Sequence, residues 1–229
     1  MNQDGRQILE NLDAVAAERA ARARDPELLL RVTSIKRFQH ARFANTYRDL
    51  LARPGYDAAV QFFLDDLYGP GDFAERDTQF ARIVPALIRL FPAELVGTVR
   101  AVSELHALSE SLDSRMAAQI DELPVDDDRY GQAWRATGEA RLREQQVQLT
   151  LDVGAELARH TRKPLLGRTL RVMRAPAKLA GLGALHRFLE RGFETFAALP
   201  DPATFLDLIG QRERTLASQL FAGGTSIQL

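Results

Sequence analysis

AELVGTVRAVSELHALSESLDSRMAAQIDEL, residues 93–123, places Leu95, Val99, Val102, Leu105, Leu108, Leu112, Met116 and Ile120 at steps of three and four. That spacing puts them on one face of a helix with 3.6 residues per turn, whereas a strand would need strict alternation. Pro92 sets the start, and Pro124-Val125-Asp126-Asp127-Asp128 supplies the turn. A second helical run, about Asp127 to Arg162, is then expected to fold back antiparallel, its polar middle from Arg141 to Gln148 marking an exposed flank. The pattern predicts an all-α protein: a single multi-helix bundle of about eight or nine helices built around this long antiparallel hairpin.

The flanking sequence extends the same period. Residues 1–24 read as a peripheral N-terminal helix, residues 25–222 as the bundle, and residues 223–229 as a flexible tail. Asp25-Pro26 offers an N-cap and a first-turn proline to a helix from about Glu27 to Ala52. Asp57 to Tyr68 reads as a short helix ended by Gly69-Pro70-Gly71, and Asp72 as the cap of a helix through Phe91 with Pro85 as a kink. Beyond Lys163-Pro164 come a basic helix, Leu165 to Arg174, then Ala177 to Leu199 and Pro202 to Phe221.

With 229 residues and 45% hydrophobic residues the chain can bury a substantial core. No cysteine is present, which removes disulfides and thiolate chemistry and favours a reducing, cytoplasmic location. The charged N-terminal stretch lacks the apolar run of a secretory signal, and no run of about 18 uncharged apolar residues predicts a membrane span. A net charge of −1 gives no global pull toward nucleic acid. Only three of the 30 basic residues are lysines, a bias expected of a GC-rich bacterial genome.

Aromatic, acidic and turn residues concentrate in FFLDDLYGPGDFAERD, Phe62 to Asp77, and a second marked stretch is LRVMRAPA, Leu170 to Ala177. Together they resemble an uncharacterised bacterial all-α family carrying an FFLxDLYGPxDFxxRD segment and a downstream LRxMRxPA stretch. The resemblance spans most of the chain and implies a helical fold, without an activity, cofactor or catalytic residue. Asp65, Asp66, Tyr68, Asp72, Arg76 and Asp77 are the candidate site at this corner. Asp65 and Asp66 begin the Asp-Asp-x-x-Asp pattern that holds magnesium and diphosphate in terpenoid synthases, but Gly69 stands where the last acid is needed. The competing reading has these acids capping and solvating the turn, with Arg76 or Arg82 as partners.

From Leu157 to Leu189 the chain has no acidic residue and eight basic ones. Arg162, Lys163, Arg168, Arg171, Arg174 and Lys178, interleaved with leucines, are candidates for an anionic lipid surface or a small anionic ligand. Internal pairing with acids such as Asp65, Asp66 or Asp126 to Asp128 is the structural alternative. Nucleic acid is disfavoured, since no aromatic precedes Phe188 to stack on bases.

His106 and His186 lie at edges of apolar stripes and are candidate haem ligands. No His-Glu-x-x-His or Glu-x-x-His motif marks a metal site. No nucleophile elbow or phosphate loop appears, and no catalytic residue is assigned. Two readings of function follow. One is a non-enzymatic interaction protein, with a protein partner or a homodimer. The other is a ligand-binding or enzymatic bundle with an apolar cavity for haem, a lipid or an isoprenoid.

Overall fold

The computed structural model describes residues 2–67, 69 and 73–224; among these are eleven α-helices, one π-helical turn and no strand. The helices are α1 (Gln3–Arg24), α2 (Pro26–Thr46), α3 (Arg48–Leu51), α4 (Asp57–Phe62), α5 (Ala74–Leu90), α6 (Ala93–Ala117), α7 (Asp127–Thr137), α8 (Ala140–Thr161), α9 (Pro164–Leu179), α10 (Gly183–Ala198) and α11 (Pro202–Phe221). The π-turn, Phe63–Leu67, continues α4. Aspartates open several helices: the carboxylate of Asp25, the expected N-cap, accepts from the amide of Leu28, and those of Asp126 and Asp201 accept from the amides of Arg129 and Thr204. Of the expected tail, residues 225–229 lie outside the described residues.

Two interruptions correct the expected eight or nine helices to eleven. The run from Glu27 to Ala52 breaks at Tyr47, whose backbone (φ −110°, ψ 23°) leaves the helical region while its ring is buried and its hydroxyl donates to Glu213 Oε1 at 2.9 Å. The second hairpin arm divides at Gly138 and Glu139, with φ of 66° and 63°. Glycine adopts that region freely; Glu139 does so under an ion pair from Arg115 Nη1 at 2.6 Å.

α6 and α8 run antiparallel. Contacts step from Thr98–His160 through Ser109–Gln146 to Met116–Arg143, and the expected second arm is two helices, α7 and α8. α1 lies along α6 and α5 and buries Ile8, Leu12 and Val15. Phe43, Tyr47, Phe62, Phe63, Phe196 and Phe205 form an aromatic core among α2, α4, α10 and α11. A second cluster joins Val32, Ile35, Met116, Tyr130, Trp134 and Leu216. No described helix is long and apolar enough to cross a membrane.

Candidate functional site

Beside the aromatic core, α4, the π-turn, α5, α6, α8, α9 and α10 line an apolar cavity of about 200 Å³. Val99 and Val102 face it from α6, Val153 and Leu157 from α8, Phe188 and Phe193 from α10, and Leu166 and Leu170 from α9. The polar side chains on its wall are Thr98 and His160, and they satisfy each other. Thr98 donates its hydroxyl proton to the Glu94 carbonyl at 3.1 Å, which leaves its oxygen to accept from His160 Nε2 at 3.0 Å. Burial, helped by Arg159 and Lys163, lowers the His160 pKa, so the wall carries a neutral imidazole.

α9 is the roof, and apolar residues occupy two of its faces. Leu166, Leu170 and Ala177 point inward, while Leu165, Val172 and Leu179 are 73%, 76% and 89% exposed. The helix sits close because Gly167 lies on the Phe193 ring; a Cβ there would meet the ring at 2.6 Å. Gly167→Leu is therefore expected to lift α9 from α10, seen as faster amide exchange confined to α9, with the rest of the bundle unchanged.

The basic residues of this region separate into two groups. Arg174 donates to both oxygens of Glu190, at 2.9 and 2.6 Å, and Lys163 reaches Glu94 at 3.4 Å. Arg171 holds the Gly167 carbonyl at 3.4 Å, whereas Arg162, Arg168 and Lys178 have no ion pair among the described residues. The cations do not pair with Asp65 and Asp66: Arg191 does, at 2.9 and 2.8 Å. The second of these contacts is close without hydrogen-bond alignment, since Asp66 Oδ2 accepts no bond.

At the aromatic corner, Tyr68 and Asp72 lie outside the described residues. The others join one network. Arg76 donates to the Asp66 carbonyl at 2.9 Å and to Asp77 at 3.2 Å, and stacks on Phe73 and Phe188. Asp77 also faces His106 Nε2 and Arg19, each at 2.8 Å. Burial opposes ionisation of Asp77, but the His106 hydrogen bond and the charges of His106, Arg76 and Arg19 outweigh it and hold its pKa at about 2. These side chains border a small cavity of about 50 Å³ and, on the surface, an open cleft of about 330 Å³.

His106 thus has its Nε2 engaged by Asp77. His186 Nε2 lies 3.8 Å from Glu190 without a hydrogen bond, and neither histidine lines the apolar cavity. The imidazole that does is His160, which periodicity alone did not single out. Among the described residues no three His, Cys, Asp or Glu side chains converge to hold a metal ion.

Residues 18–226 match the family model described as Domain of unknown function (DUF8198). The chain belongs to this family. The DUF8198 match takes in the whole cavity wall and the α9 roof, and it agrees with the resemblance read from the Phe62 to Asp77 segment while assigning no activity. No curated protein and no solved structure matches the chain.

Proposed function

We propose that this protein binds a single-chain anionic amphiphile of the medium-chain fatty acid class. The chain occupies the α9-roofed cavity, and the carboxylate meets Arg168 and Arg171 beside Leu170. The observation that carries the reading is a nearly all-apolar cavity lying directly under a helix with unpaired cations. Benzene fills a cavity of about 150 Å³, and the same volume per carbon gives room here for about eight carbons. The exposed residues Leu165, Val172 and Leu179 favour a second, compatible role for α9, contact with a protein partner, a second copy or an anionic lipid surface. A cytosolic carrier or sensor accommodates both.

Thermal unfolding with sodium octanoate and sodium butyrate tests the reading. At about 100 times its Kd, octanoate is expected to raise Tm by about 5–10 °C, and butyrate at the same concentration by much less. Equal effects of the two, or none, would remove the support for a chain in the cavity.

A further inference from the structure

A second chamber lies on the other side of α6 and α8. Its volume is about 80 Å³, its wall is rich in charge, and it shares only Leu67 with the apolar cavity. Most of its charges are matched. Lys36 and Arg22 face Glu110, Lys36 also stands 3.9 Å from Asp113, and Arg42 pairs with Glu213 at 2.6 Å.

Arg143 is the exception. It is 3% exposed, yet it forms no ion pair among the described residues. Its contacts are a 3.4 Å bond to Gln146 Oε1, a 3.6 Å approach to Met116 Sδ, and a stack on Trp134 with the guanidinium carbon 4.0 Å from the ring centre. Its Nε has no acceptor, and neither has Nε1 of the Trp134 ring it stacks on. Arginine does not shed its charge, so a buried guanidinium short of acceptors is costly unless something anionic joins it. Burial also pushes Asp113 above the usual carboxylate range, which weakens the one nearby counter-charge.

From the unmatched Arg143 cation and the orphaned donors at Arg143 Nε and Trp134 Nε1, we infer that this chamber is a second ligand site, for a small monocarboxylate whose oxygens accept from these two N–H groups. The volume admits a molecule of a few heavy atoms, since one water needs about 10–15 Å³ on the same measure. The site is independent of the amphiphile reading.

Trp134 is the chain's only tryptophan, so its fluorescence reports on the chamber directly. The full-length protein is titrated with sodium acetate and with sodium L-lactate, at ionic strength fixed by sodium chloride, and separately with sodium phosphate. At least one carboxylate should change the emission saturably while chloride does not, and Arg143→Met should raise the half-saturation concentration by roughly 30-fold or more. No saturable change with either carboxylate in the parent protein overturns the inference, whether or not the variant folds. So does a response confined to phosphate, or one that Arg143→Met leaves unaltered.

Discussion

Val99→Trp is expected to weaken octanoate binding by about 100-fold while leaving the helical content and cooperative unfolding intact. Val99 faces the apolar cavity from the N-terminal third of α6, and an indole placed there occupies volume that the lipid chain needs. Each methylene kept from burial forfeits about 0.8 kcal/mol, so displacing three or four loses about 3 kcal/mol of binding. The variant itself should be as stable as the parent or more so, because the indole fills a void instead of crowding a packed core. Titration calorimetry gives the affinity and thermal unfolding the stability. Loss of binding together with loss of fold would leave the cavity argument unsupported.

Arg22→Ala is expected to destabilise the protein by about 3–5 kcal/mol, read from the urea midpoint. Arg22 is buried in the interface of α1 and α6, where it pairs with the Glu110 carboxylate, donates to the Glu110 carbonyl at 2.6 Å and holds Ser114 Oγ at 2.9 Å. Removing it leaves Glu110 buried with Lys36 alone. Burial works against the Glu110 charge, but Lys36 and Arg22 prevail and hold its pKa at about 2. Asp77 is held at the same level by His106, Arg76 and Arg19. Because both pKa values fall on folding, the stability they supply is complete above the ordinary carboxylate range and is lost as pH drops from about 4.5 toward 2. In Arg22→Ala the part carried by Glu110 should shrink, so the variant's stability should fall less steeply over that interval.

The elements of the fold were legible where the signal is local. Asp25-Pro26 and Pro202 mark helix starts through chemistry confined to four residues, and the α6 stripe marks a long helix. The break at Tyr47 was not legible, because what holds that residue out of the helix is Glu213, 166 residues away. Gly138 was a readable signal that the apolar period overrode. The candidate site was legible only in pieces. The basic stretch and its leucines identify α9, and Asp77 and His106 stand out separately, but their 2.8 Å contact crosses 29 residues. The cavity belongs to six helices and the π-turn, each contributing residues that read in sequence as ordinary core. Gly167 carries no sequence signal of its own, and only the Phe193 ring beneath it explains the residue.

The most direct test of amphiphile binding is titration calorimetry across saturated fatty acids from four to twelve carbons, each below its micellar concentration. A cavity of this volume predicts affinity rising about fourfold per added carbon and levelling off near eight, with a negative heat-capacity change. No binding at any length, or affinity that climbs through twelve carbons without levelling, would contradict a chain enclosed beneath α9.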